Sequence, residues 1–311
     1  MKWEKIGKIF NPNEHNLTNN CFEYAQSPQV LELDDVIRVY FSTRELDESG
    51  KFLSHVSFVD YTKDFKQIVR VSDKTVIPLG DLGCFDEHGI FPFSVTKYKD
   101  KISAYTTGWN RKKSVSVDAS IGLAYSTDGG ETFEKHGKGP VMTASLYEPF
   151  LVGDAFVKNF NELYYMFYIY GVRWINDDQG VPQRVYKIAQ STSEDGINWK
   201  RNAKTIISDS IDENECQALP TVVKHNGLYH MYFCYRNAFG FREDKDKAYR
   251  IGYAYSENLT DWTRDDENAG IATSIDDWDS DMMCYPYVFE SNNNVYLLYN
   301  GNNFGRDGFG L

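Results

Sequence analysis

Five short runs along the chain resemble one another: VIRVYFS, KISAYTT, LYYMFYI, LYHMYFC and VYLLYNG. Their shared aromatics, Tyr40, Tyr105, Phe167, Tyr232 and Tyr299, are separated by 65, 62, 65 and 67 residues. A spacing so even over 311 residues implies five copies of one structural unit. A second series runs in step with the first. The segments DYTKDF, STDGGETF, STSEDGINW and SENLTDW each set a turn ahead of an aromatic, namely Phe65, Phe133, Trp199 and Trp262. Gly and Asp in those turns give the backbone freedom that a tight strand connection needs.

No segment carries a long helical period, and 22 Tyr and 6 Trp against only 9 Pro favour pleated surfaces. Repeated four-strand units of this kind predict an all-β fold, a five-bladed β-propeller with four-stranded blades. The fifth unit stops at GRDGFGL, before a fourth strand. KWEKIGKI at the start resembles the fourth strand of another unit, NWKRNAKTI. The N-terminal strand is therefore expected to close the last blade, making residues 1–311 a single domain. STDGGETF also resembles the Asp-box turn of sialidase propellers, a structural motif.

Composition narrows the function. A hydrophobic fraction of 41% and an aromatic fraction of 15% belong to a folded chain. A net charge of −12 argues against a nucleic-acid partner, since phosphate backbones require a basic footprint. No stretch has the apolar length of a membrane span, and the N-terminus lacks the apolar core of a signal peptide. Five widely spaced cysteines, without a C-x-x-C pair, read as reduced thiols and suggest a cytoplasmic location. No cluster has metal-ligand spacing and no phosphate-cradling glycine loop occurs, so no cofactor is expected. The oligomeric state is left open.

Four units place a proline shortly before the aromatic run: Pro28, Pro92, Pro220 and Pro286, with Ala155 in the third. Five residues before each proline stand Glu23, Glu87, Glu215 and Asp281, while the third unit carries Asp154 directly before Ala155. Offsets of five and one share parity, so on regular strands these acids face the same side. They are expected to ring an axial cavity, either as polar lining of a wet channel or as a site. Crowded carboxylates push their pKa values apart, which is what acid catalysis at a glycosidic bond requires.

Here the residues resemble a family. The five repeats, with ECQALP and VGDAFV, resemble the propeller glycoside hydrolase superfamily of families 32, 43, 68 and 130. ECQALP is similar to the Glu-Cys motif of the general acid, and VGDAFV takes the place of the Arg-Asp-Pro motif. FDEHGIFPFSV and LYNGNNFGRDGFGL resemble a bacterial subgroup of propeller sugar enzymes found with surface-polysaccharide genes. The resemblance implies Glu215 as general acid and Asp154 as transition-state stabiliser; Gln217, two residues after Glu215, is a candidate substrate-binding residue. It departs in the first unit, where Ser27 stands in place of the family's catalytic Asp. Glu23 and Glu87 are the substitutes offered by the repeat.

Several basic and aromatic residues join the candidates. Arg173, Arg184, Arg236, Arg242 and Arg250 either pair with nearby acids or form an anion site, with Arg173, Arg236 and Arg250 expected at substrate. His88 and Trp109 are further substrate candidates, as is Asp281. Trp174 and Trp278 also follow strand ends. The expected function is cleavage or transfer of a glycosidic bond. The alternatives are a glycosyltransferase or phosphorylase acting on a phosphate-bearing sugar, and a non-catalytic carbohydrate-binding propeller.

Overall fold

The computed structural model describes residues 2–311. A short strand, β1 (Lys8–Phe10), precedes the first repeat. That repeat holds β2 (Phe22–Glu32), β3 (Ile37–Leu46), β4 (Phe52–Tyr61) and β5 (Ile68–Val71). The second holds β6 (Gly89–Tyr98), β7 (Lys101–Arg111), β8 (Val117–Ser126) and β9 (Glu134–Lys135). The third holds β10 (Val152–Phe160), β11 (Leu163–Asn176), β12 (Pro182–Ser193) and β13 (Lys200–Arg201). The fourth holds β14 (Cys216–His225), β15 (Leu228–Arg236), β16 (Arg250–Ser256) and β17 (Thr263–Arg264). The last holds β18 (Cys284–Ser291), β19 (Asn294–Asn300) and β20 (Phe309–Gly310).

Within each repeat successive strands pair antiparallel, and β1 pairs with β20 to give the order β1-β20-β19-β18. Met1 lies outside the described residues, but the expected partner of the last repeat is present in β1. Among the described residues no sheet closes on itself through hydrogen bonds, and the first two repeats are joined by a single bridge, Ser54 to Gly89. The first strands touch in cyclic order: β2 with β6, β6 with β10, β10 with β14, β14 with β18, and β18 with β2.

Three members of each sequence series meet in one contact repeated between neighbouring repeats, while Phe65 packs instead on Phe289 and Tyr296 and Tyr299 on Trp278. Tyr40 meets Phe133 edge-on at 5.9 Å, Tyr105 meets Trp199 at 5.7 Å, and Phe167 meets Trp262 at 5.6 Å between ring centres. Tyr232 meets Trp3 the same way at 5.4 Å, so the N-terminal segment supplies the turn aromatic that the last repeat lacks. Edge-to-face pairs of this kind contribute about 0.5–1.5 kcal/mol each beyond the area they bury. The hydroxyls add polar ties. Tyr40 donates to the Gly130 carbonyl at 2.6 Å and Tyr105 to the Gly196 carbonyl at 2.9 Å. Both glycines have positive φ, +85° and +76°, and a Cβ at either would overlap the tyrosine hydroxyl. The turn residue is fixed twice over, by backbone conformation and by the approach of the ring. All five aromatics of the first series are almost wholly buried.

Candidate active site

Each first strand shifts its register against the second strand near its proline position. The shifts fall between Gln26 and Gln29, Ile90 and Phe93, Gly153 and Phe156, Ala218 and Thr221, and Cys284 and Tyr287. The residue preceding the proline position adopts left-handed backbone in four repeats: Ser27 at φ 54°, Asp154 at 52°, Leu219 at 48° and Tyr285 at 56°. In the other repeat the Phe91-Pro92 bond is cis. A bulge adds a residue to one strand and reverses the in-out alternation beyond it. The side chains that reach the axial cavity are therefore those just before the proline position, including Phe91, Asp154 and Tyr285.

This corrects the expected ring of acids. The parity argument assumed regular strands, and the bulges break it. Glu23 pairs with Arg306 at 2.6 Å, and Glu87 accepts from the Gly83 amide at 2.9 Å. Asp281 lies in the loop before β18, where its carbonyl accepts from Arg250. Glu215 is fully buried outside the cavity. It holds Arg264 at 2.6 Å and accepts from the backbone amides of Ser210 and Ile211. Burial alone would raise its pKa, but Arg264, Gln217 and the Ser210 amide together outweigh burial and lower it, so Glu215 stays ionised. Gln217 donates to Glu215 Oε1 at 2.9 Å and braces that carboxylate.

Asp154 remains. It is 8% exposed and lines an axial cavity of about 240 Å³. Burial pushes its pKa up to about 7, against smaller opposing effects from the Leu219 amide and the Arg184 charge. A carboxyl group tuned to that value can hold and deliver a proton near neutral pH. Among the described residues it is the one carboxyl group in the cavity wall. The wall also carries aromatics and cations, Phe91, Trp109, Tyr249, Tyr285, Arg44 and Arg184, among aliphatic and neutral polar residues such as Leu151, Ile169 and Thr107. Trp109 lines the cavity, with its Nε1 donating to Ser54 Oγ at 3.1 Å. His88 stacks beside it, 6.1 Å between ring centres, but is absent from the wall.

Beyond this cavity lies an outer chamber of about 340 Å³ that shares Arg44, Arg184, Tyr186, Tyr249 and Tyr285 with it. Arg236 and Arg242 complete the chamber, and no carboxyl group lines it. The chain's other arginines are committed elsewhere. Arg38, Arg70, Arg111, Arg173, Arg201, Arg264 and Arg306 pair with acids. Arg250 donates to the carbonyls of Tyr249, Asp281 and Lys245. Arg173 and Arg250 lie outside the chamber, whereas Arg236, although its Nη1 donates to the carbonyls of Asn237 and Ala238, lines it together with three arginines that find no acid.

The chamber's side chains hold one another. Arg236 lies 3.6 Å over the Phe241 ring and donates to Tyr186 Oη at 3.0 Å, and Tyr186 and Tyr249 share a hydrogen bond of 2.6 Å. Arg44 reaches Gln26 and lies over Tyr24 and Phe91 at 5.6 and 5.5 Å. Burial lowers the pKa of Arg44 to about 10, which leaves it charged at neutral pH. The sequence reading did not pick out Arg44, Tyr186, Tyr249 or Tyr285. A signal existed for Tyr285, which occupies the same repeat position as Asp154. None existed for the others, which sit on second- and third-strand ends and their loops. Trp278 stacks on Tyr299 at 5.0 Å and Trp174 packs on the core. Among the described residues no group of three or more His, Cys, Asp or Glu is placed to hold a metal ion.

No family model matches the chain. The uncharacterized protein Rv1502 of Mycobacterium tuberculosis is 31% identical over all 311 residues, which cover 98% of that protein. A 1,2-beta-oligomannan phosphorylase of a Thermoanaerobacter species is 33% identical over 116 residues, 37% of this chain and 34% of the relative. Among solved structures, one described as a glycoside hydrolase superposes with a TM-score of 0.74 at 16% identity, over 99% of this chain and 91% of its own. The beta-1,2-mannobiose phosphorylase of Listeria innocua gives 0.65 at 12% identity, over 97% and 93%. The chain belongs to one family with Rv1502, on the fold of the β-propeller glycoside hydrolases.

Proposed function

We propose that this protein is a carbohydrate-active enzyme that exchanges a glycosidic bond for a glycosyl phosphate bond, with Asp154 as the proton donor. The observation that carries the reading is the composition of the cavity wall. A single carboxyl group, with its pKa raised to about 7, faces arginines that have no acidic partner. Hydrolysis by paired carboxylates requires a second acid to activate water or attack the sugar, and the wall offers none among the described residues. A phosphate ion brings its own negative charge and needs no base.

The steps balance as follows. A phosphate oxygen held by Arg44 and Arg184 attacks the anomeric carbon. The bond from that carbon to the glycosidic oxygen breaks, and the leaving oxygen takes the electron pair. That oxygen accepts the Asp154 proton, giving a glycosyl phosphate and a sugar hydroxyl. The guanidinium groups fix the phosphate and offset its charge in a partly dewatered site. In the reverse direction Asp154 takes the proton back. The geometry also suits one closed ring of five blades spanning residues 1–311. Support comes from the cyclic contacts of the first strands and from β1 completing the last sheet.

The relative that acts on 1,2-beta-oligomannan and the neighbour solved with beta-1,2-mannobiose make β-1,2-linked mannosides the first substrates to try. The test incubates the protein with such a mannoside, with and without inorganic phosphate, and identifies the products. A glycosyl phosphate formed only with phosphate, and reduced about 10²–10⁴-fold in Asp154→Asn, is the expected result. Free sugar released at the same rate without phosphate would overturn it.

A further inference from the structure

The arginines outnumber the charge of one phosphate. A phosphate group carries about 1.5–2 negative charges near neutral pH, enough to offset Arg44 and Arg184 at the Asp154 cavity. Arg236 and Arg242 border only the outer chamber, where no carboxyl group answers them. Arg236 is 3% exposed, and its Nε is buried without a hydrogen-bond partner. Arg242 lies 4.2 Å over the Phe241 ring that also carries Arg236. Desolvation, and then repulsion from Arg236 and Arg184, lowers the Arg242 pKa, as expected where like charges crowd one space. In a chain of net charge −12 such a surplus has no use in solubility.

We propose that the outer chamber binds a second anionic group carried by the sugar itself, so that the saccharide substrate is a phosphate monoester. This rests on the proposed phosphorolysis and adds the substrate class. The inner pair takes the reacting phosphate beside Asp154, and the outer pair takes the ester phosphate. Two guanidinium groups match the double charge and the several acceptor oxygens of a phosphate monoester, whereas a sugar carboxylate supplies one charge. The chamber also holds exposed Phe52 with Tyr24 against it at 5.8 Å, an aromatic surface that a sugar ring can pack on.

The experiment counts bound phosphate. Equilibrium dialysis of the intact protein against radiolabelled inorganic phosphate should reach two ions per chain. Arg242→Gln, at an exposed position, should keep its melting temperature and bind one. A hexose 6-phosphate should displace one ion from the parent, and the free hexose none. One ion per chain in the parent, lost in Arg184→Gln and indifferent to Arg242→Gln, would overturn the second site and leave phosphorolysis standing. No bound phosphate at all would overturn both.

Discussion

Asp154 costs the fold stability at the pH where it is useful, and the sign of that cost follows from its pKa. The folded value of about 7 lies above the ordinary 3.8, so the native state holds the proton more tightly than the unfolded chain does. The contribution is fully present below about pH 4 and is lost as pH rises through 7. Asp154→Asn should therefore melt higher than the parent at pH 8, by on the order of 4 kcal/mol at most, and equal to it at pH 4. Asn also tolerates the left-handed backbone of this position. Thermal melts at the two pH values check this, and a variant less stable at pH 8 would contradict it. Glu215 behaves oppositely. Its lowered pKa means that its contribution is present above its ordinary 4.5 and is lost as pH falls below it. Glu215→Gln removes one of the two carboxylates that hold buried Arg264, Asp266 remaining at 2.8 Å, a loss of about 1.5–3 kcal/mol. Molecules of Glu215→Gln that do fold should keep their phosphorolytic rate, unlike those of Asp154→Asn, and an equal loss of rate in the two would place Glu215 in the chemistry. Asp154 was legible in the sequence because it stands directly before a proline position. Glu215 misled because its spacing was read through a strand assumed regular, although Pro220, which cannot donate to the ladder, marks the bulge.

At the scale of strands and turns, the repeat was readable because it is a physical contact made again and again. An aromatic on the second strand of one repeat packs edge-on against the turn aromatic of the next, so both series carry the same period. The turn glycines belong to the same contact. Gly196→Ala imposes a Cβ on a residue at φ +76° and overlaps the Tyr105 hydroxyl, with an expected loss of about 1–3 kcal/mol. Tyr105→Phe removes that hydroxyl and its bond to the Gly196 carbonyl, a loss of about 1 kcal/mol. The double variant should be more stable than the sum of the two losses, by about 0.5 kcal/mol or more, because the overlap is relieved. Strict additivity in denaturant unfolding would show that the hydroxyl does not fix the glycine. The cavity-lining second- and third-strand ends were not readable, because Arg44, Tyr186 and Tyr249 fall at different offsets in different repeats and no periodic signal gathers them.

Over the whole molecule, the N-terminal segment acts far from its place in sequence. Trp3 packs on Tyr232 and donates to the Ala269 carbonyl at 3.0 Å, β1 pairs with β20, and Phe10 is buried against Phe41 and Phe309. Removing residues 1–10 should lower stability by more than about 3 kcal/mol, since two large aromatics and an edge strand are lost together. An unchanged melting temperature would show that the last repeat does not need them. The same long-range assembly brings Asp154, from the third repeat, to Arg44 of the first and Arg184 of the third, and the account depends on that meeting. The most direct test is the carbon-13 titration of the Asp154 carboxyl group, assigned by its disappearance in Asp154→Asn. The account predicts a midpoint near 7 that moves upward when phosphate is added, because a bound anion disfavours the carboxylate. A midpoint near the ordinary 3.8, unmoved by phosphate, would contradict it.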